Sequence, residues 1–300
     1  MKLDPRLIVG IGVLFTSFSA ILIRYSQAPA LAIASWRMVF TTALVTPLFL
    51  LERGGRTGRH GRLGQEAPAG RPAAIRTAVL LSAASGAFLA LHFALWISSL
   101  DYTSVASSTI LVTSHPVIVA LAGVVIIGER ISLRAAVFMA GAFVGSIILV
   151  AGGLGAGESA ALGNLLAWLG AVTVSGYMIL GRIVRRTLGV HTYTLIAYSV
   201  SAILLTATAS ALGASLHPYP LREYAIFLAL AIFCTLLGHS LYNWALRYLK
   251  TTVVSTSILG EPVIASVLAA LLFDEIPTAL TFVGGAIVLA CIYGFVRNDG

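Results

Sequence analysis

Along this chain, apolar runs alternate with short stretches marked by Gly, Pro and charge. A helix that crosses a bilayer needs about 20 mostly apolar residues. Read against that length, the runs predict ten helices, near 7–24, 30–51, 77–99, 103–127, 131–151, 160–181, 192–213, 223–246, 250–273 and 277–296. One longer interruption, Glu52 to Arg76, mixes Arg, Gly, Pro and Ala without periodicity and reads as a flexible linker. The first run also has features of a secretion signal, with Lys2 and Arg6 ahead of it and Ala28-Pro29-Ala30 where a cleavage site would stand. Its apolar stretch, Leu7 to Ile23, is longer than such a signal usually carries, so a retained first helix is expected.

Composition supports the same picture. Hydrophobic residues make up 58% of the chain and charged residues 10%, against roughly a quarter charged in a soluble domain. The chain reads as one all-α integral membrane unit.

The net charge of +8 raises the question of a nucleic-acid partner. The placement of the basic residues argues against one. With a cytoplasmic N-terminus, the inner segments hold Lys2, Arg6, Arg53, Arg56, Arg59, Arg62, Arg71, Arg76, Arg130, Arg134, Arg182, Arg185, Arg186, Arg247, Lys250 and Arg297. The outer segments hold only Arg24 and Arg222, and Arg37 falls inside a span. That asymmetry predicts cytoplasmic N- and C-termini and an even number of spans. The linker arginines then read as topology determinants. Cys234 and Cys291 each sit in an apolar run and read as small hydrophobes.

The chain also repeats itself. Trp96 to Leu111 aligns, 148 residues later, with Trp244 to Leu259. After a two-residue gap His115-Pro116-Val117-Ile118 meets Glu261-Pro262-Val263-Ile264, and Glu129 meets Glu275. Two units follow, 1–155 with helices one to five and the linker 52–76, and 156–300 with helices six to ten. An odd number of helices per unit makes the second enter the membrane from the opposite side, and inverted repeats of this kind place a site at their interface near the midplane.

Trp36-Arg37 in the second helix, the Thr-Ser-Val-Ala-Ser run from Thr103, the following mid-helix Pro116 and Gly128-Glu129 at the close of the fourth helix resemble the drug/metabolite transporter superfamily, EamA family. Within it the chain is similar to YddG-like amino-acid exporters. The resemblance implies ten helices, as two inverted five-helix repeats, forming a basket around a central cavity. Asp274-Glu275 departs from the Gly-Glu pattern in the second unit.

Ionisable groups inside hydrocarbon are costly, which singles out Arg37, His115 and Glu261 as gating or coupling candidates. For Arg37 a structural reading is favoured, in which it snorkels or binds helix-end carbonyls. His115 and Glu261 precede Pro116 and Pro262, where a ring inside a helix would produce matched kinks suited to a cavity or gate. Glu261 is the first residue to suspect if transport is coupled to protons, and a lasting Arg37–Glu261 pair is the competing reading. A second set reads as substrate-binding: His92 and Trp96 share one helix face, His239, Tyr242 and Asn243 another, and Trp168 and Tyr177 lie inside the sixth helix. Rings with a few polar heads suit aromatic or large neutral amino acids, while plain packing explains any one of them equally well. The hydroxyl clusters at Ser104, Ser107, Ser108, Thr109 and Thr113 and at Thr251, Thr252, Ser255, Thr256 and Ser257 read mainly as packing, with Ser108 and Thr256 kept as cavity linings. Gly141 and Gly145 read as a helix contact.

Other functional classes lack their signatures. There is no His-Glu-x-x-His, no Gly-x-Ser-x-Gly, no aspartate cluster for a metal and no Walker sequence, and the glycines of Gly153–Gly157 follow a membrane helix without a strand–helix unit. An enzyme, a metal site, a cofactor and an ATP-driven pump are therefore not expected. The reading is a secondary transporter exporting small metabolites by alternating access, with amino acids as substrates. A drug, nucleoside or sugar carrier, or a channel, is the alternative. The expected partners are a small molecule and the lipid bilayer, the expected location is the bacterial inner membrane, and a monomer is the simplest assembly.

Overall fold

The computed structural model describes residues 4–58, 72–103, 105–128, 130–151, 158–273 and 279–299. Ser104, Glu129, residues 59–71, the Gly153–Gly157 run and Asp274-Glu275 lie outside the described residues, whereas 52–58 and 72–76, expected as parts of a flexible linker, are helical extensions of the flanking spans. Among those described, all regular structure is helical. The first unit contains α1 (Pro5–Thr16), α2 (Ser19–Tyr25), α3 (Ala30–Gly58), α4 (Pro72–Ser99), α5 (Val105–Val112), α6 (His115–Ala122), a π-helical turn Gly123–Ile127 and α7 (Leu133–Ala151). The second contains α8 (Glu158–Val184), α9 (Val190–Ala211), α10 (Leu221–Ala229), a π-helical stretch Leu230–His239, α11 (Ser240–Ala245), α12 (Thr251–Ile258), α13 (Glu261–Phe273) and α14 (Ala279–Asp299).

Among the described residues, seven segments can cross a membrane by length and apolar composition: Pro5–Tyr25, Ala30–Leu51, Ala73–Ser99, Ala161–Val184, Val190–Ala211, Leu221–Ala245 and Thr251–Leu272. Two further apolar stretches, Leu133–Gly145 and Phe282–Phe295, are shorter. The segment expected at 103–127 is broken into α5, α6 and the π-turn.

Local chemistry explains several boundaries. Asp4 caps α1 by accepting the Arg6 N–H at 2.9 Å, with Pro5 at the first helical position where no backbone donor is needed. The turn before residue 129 closes on Gly128, whose φ of 73° is a left-handed conformation that glycine adopts without a Cβ clash.

The prolines do not kink continuous helices. Helix α5 ends in a tight turn, with Ser114 N–H donating to Leu111 O at 3.2 Å, and α6 restarts at His115 with Pro116 in its first turn. The same device recurs in the second unit. Gly260 N–H donates to Ser257 O at 3.1 Å, and α13 restarts at Glu261 with Pro262 in its first turn. First-turn donors have no helical partner, so a missing N–H costs nothing there, and this is why the rings begin half-helices instead of bending whole ones.

The two units interlock. The most extensive packing joins α7 to α14, α4 to α8 and α9, α3 to α9, and α1 to the π-helical stretch 230–239, each pairing a helix of one half with a helix of the other. Gly141 and Gly145 do form a helix contact: a Cβ on Gly141 would lie 2.7 Å from Cys291 Sγ, and one on Gly145 would lie 2.8 Å from Ile287 Cγ2. Side chains such as Leu51, Leu80, Ile126, Leu133, Ile203 and Phe282 stay exposed around the outside, as a lipid-facing surface requires.

Candidate functional site

Among the described residues three helices are interrupted, at 16–19, 112–115 and 258–261, and all three breaks open onto one cavity. Its walls are Thr16, Ser19, Arg37, His92, Trp96, Val112, Thr113, His115, Val174, His239, Tyr242, Ile258 and Glu261, drawn from both halves of the chain. The empty space, counted to the atom surfaces and including its mouth, is about 430 Å³.

Arg37 is fully buried and projects sideways from α3. Its Nε donates to Thr235 Oγ1 at 2.8 Å, a terminal nitrogen donates to Ser19 Oγ at 3.0 Å, and the guanidinium lies 4.2 Å from the centre of the Phe93 ring. The expected snorkelling or carbonyl binding is thus replaced by two hydroxyls and an aromatic face. Thr235 owes its position to the π-helical stretch, where its hydroxyl also donates to Leu230 O five residues back at 3.2 Å. Wide turns of this kind recur at functional sites because they re-aim side chains.

Glu261 stands in the first turn of α13, where the helix dipole favours a negative charge. It faces the same cavity as Arg37, yet the two do not form an ion pair, and each is held by its own surroundings. The lasting Arg37–Glu261 pair weighed from the sequence is therefore not what the structure contains.

His115 Nδ1 lies 3.0 Å from Val112 O. A carbonyl can only accept, so the neutral ring carries its proton on Nδ1 and presents a bare Nε2. That Nε2 is buried without a partner, and so is the indole N–H of Trp96. His92 is fixed in the same way by Gly170 O at 3.0 Å, and its ring stacks on Trp96 with centroids 5.8 Å apart and planes within 8°. His239 completes the aromatic wall, 6.3 Å from His92 and 6.1 Å from Tyr242. Tyr242 and Thr16 share a hydrogen bond of 2.9 Å, which ties α11 to the break in the first span.

The remaining expected residues lie elsewhere. Tyr177 and Asn243 are buried beside the cavity in a separate network, where the Asn243 amide donates to the hydroxyls of Tyr177 and, at 3.2 Å, Tyr198. Trp168 is 47% exposed on the outer face of α8. The buried stripe of that helix runs through Ala167, Gly170, Ala171 and Val174, and Trp168 falls outside its phase. Ser108 is hydrogen-bonded to Ser99 at 2.6 Å, and both Ser108 and Thr256 are buried without lining the cavity. Pro116 and Pro262 are buried next to the lining residues His115 and Glu261. Sequence reading overlooked Thr16, Ser19, Phe93 and Thr235. The signal available was the hydroxyl cluster Thr16-Ser17-Phe18-Ser19 inside an otherwise apolar first helix.

Polar ties also join the helix ends of the bundle. At one end Glu223 accepts from the Ser26 hydroxyl at 2.5 Å and Gln27 N–H at 3.3 Å, Arg222 donates to Tyr25 O at 2.7 Å, and Trp36 Nε1 donates to Leu216 O at 2.8 Å. At the other, Arg182 donates to Leu246 O, Arg185 to Asn243 O at 3.1 Å and Lys250 to Arg130 O at 3.3 Å. Arg182 and Arg185 thereby satisfy carbonyls at the end of α11 besides any part in topology.

A multi-pass helical membrane protein, with a cavity lined by residues of two interlocked halves, is the class these features define. The model of the EamA-like transporter family matches residues 7–151 and again 161–297, and the chain belongs to that family. It is accordingly a transporter of the drug/metabolite type. Among solved structures 29 chains match; one crystal structure aligns over 97% of this chain and 97% of its own at 18% identity with a TM-score of 0.71, which establishes the fold alone. No curated protein matches the chain.

Proposed function

We propose that this protein is a secondary carrier that exports small metabolites across the bacterial inner membrane by alternating access, with aromatic and other neutral amino acids as its substrates, in the manner of YddG-like exporters. Its working form is then ten spans in two inverted units, 1–155 and 156–300, with both termini cytoplasmic and a monomer sufficient for transport.

The observation that carries this reading is the convergence of three helix breaks from both halves on one cavity lined by rings and opposite charges. Broken helices let a membrane protein present polar groups at depth, and a site shared by two related halves can be exposed to either side when they rock. The ring wall of His92, Trp96, His239 and Tyr242 offers apolar faces for a neutral or aromatic side chain.

The test is uptake of radiolabelled aromatic amino acids into proteoliposomes, with and without an imposed pH gradient. Saturable uptake is the expected result, and a response to the gradient would direct attention to Glu261. Absence of uptake for every amino acid, with transport of a sugar, nucleoside or drug instead, would overturn the substrate assignment and leave the carrier.

A further inference from the structure

Two opposite charges that line one buried cavity ordinarily neutralise each other, because a lone ion in a low-dielectric interior is expensive. Here Arg37 and Glu261 stay apart. Arg37 is steadied by Thr235, Ser19 and Phe93, and those hydrogen bonds use two of the five N–H donors a guanidinium carries. Glu261 is steadied by the first turn of α13. Two residues that line the cavity each carry a buried polar atom without a partner. The Trp96 indole N–H is a donor, and the His115 Nε2 is an acceptor because its Nδ1 proton is committed to Val112 O. Buried polar atoms are almost always partnered, so an unmet donor and an unmet acceptor on two residues of one cavity lining suit a group that supplies the complements.

We propose that the cavity recognises the two charges of a zwitterionic amino acid: Arg37 and the Trp96 N–H hold its carboxylate, and Glu261 and the His115 Nε2 hold its ammonium. This assignment rests on the amino-acid reading above and deepens it, since it makes Arg37 and Glu261 specificity residues for the backbone of the substrate. The His92–Trp96 stack and the rings of His239 and Tyr242 are left to accept the substrate's side chain. Molecules with one of the two charges would leave the other protein charge buried and unpaired. The site therefore selects for the pair.

The experiment measures competition for uptake of radiolabelled phenylalanine into proteoliposomes of the wild-type protein. Unlabelled phenylalanine is compared with phenethylamine, which lacks the carboxylate, and 3-phenylpropionate, which lacks the ammonium. Each analogue is expected to compete roughly 30-fold or more weakly, as for a buried charge deprived of its partner. The variants Glu261→Gln and Arg37→Gln, checked for a monodisperse elution profile, then assign the charges. Glu261→Gln is expected to shrink the disadvantage of 3-phenylpropionate to about threefold while keeping that of phenethylamine, and Arg37→Gln to do the reverse. If either variant fails to fold, the wild-type comparison decides alone. Analogues that compete as well as phenylalanine, or variants that weaken all three ligands equally, would overturn the zwitterion site while leaving amino-acid transport intact. Transport of another class of solute without any amino acid would overturn both readings.

Discussion

At the scale of single residues, the cavity separates side chains that face it from side chains that merely belong to aromatic helices. His92 and Trp168 illustrate the difference. His92 is held by Gly170 O and stacked on Trp96, whereas Trp168 looks outward from α8. His92→Ala removes a hydrogen bond and a ring contact, together about 1–3 kcal/mol, so a loss of roughly tenfold in apparent affinity is expected in the uptake assay. Trp168→Ala should leave uptake within about twofold of wild type, since it touches only the exterior. Equal impairment by both would mean that the cavity is not where the substrate sits. Glu223 makes a comparable case at the end of the molecule, where its buried carboxylate ties Ser26 and Gln27 to α10. Its replacement by Ala is expected to cost about 1–3 kcal/mol in thermal melting, the scale of a buried hydrogen-bonding group lost.

Elements show what the sequence could and could not convey. Apolar length and the spacing of prolines located the segments, and the repeat tied His115-Pro116 to Glu261-Pro262. They could not reveal that the chain turns before each proline, because a ring in the first turn and a ring inside a kink leave the same signature in sequence. The two geometries differ energetically. A proline in a helix interior costs about 3 kcal/mol, whereas one in the first turn costs almost nothing. Pro116→Ala and Pro262→Ala should therefore each change stability by less than about 1 kcal/mol in thermal or denaturant unfolding. A gain approaching 3 kcal/mol would show that the rings strain a continuous helix. Gly145 supplies the opposite case: Gly145→Val places a methine carbon 2.8 Å from Ile287 Cγ2 and 3.0 Å from the Val288 backbone nitrogen, so α7 and α14 must separate. A destabilisation of about 1–3 kcal/mol is expected. The π-helical stretch 230–239, which aims Thr235 at Arg37, had no legible precursor, since nothing in Leu230–His239 departs from an ordinary apolar helix pattern.

For the whole molecule, the decisive property is that the halves pack on each other more than on themselves, with α4 against α8 and α9 and α7 against α14. A one-dimensional repeat announces two units but not their interlocking, so the cavity lining was legible only for the residues that stood out chemically, such as Arg37, His115 and Glu261. Thr16 and Ser19 came to the site through the break in the first span, and Tyr177 and Asn243 were drawn into their own network instead. The proposed topology is tested by a cysteine introduced at Tyr102 or at Tyr248, both exposed, in a chain whose Cys291 is replaced by Ala and whose remaining Cys234 is buried. A membrane-impermeant maleimide applied to intact cells should label the cysteine at 102 and spare that at 248; the reverse pattern would invert the orientation.

The central claim is that one enclosed cavity opens alternately to either side, and counterflow tests it most directly. Proteoliposomes preloaded with unlabelled phenylalanine should accumulate radiolabelled phenylalanine transiently above its equilibrium level, because each return of the cavity carries substrate. Uptake that only relaxes to equilibrium, unaffected by preloading and proportional to concentration without saturation, would contradict the account and identify a channel.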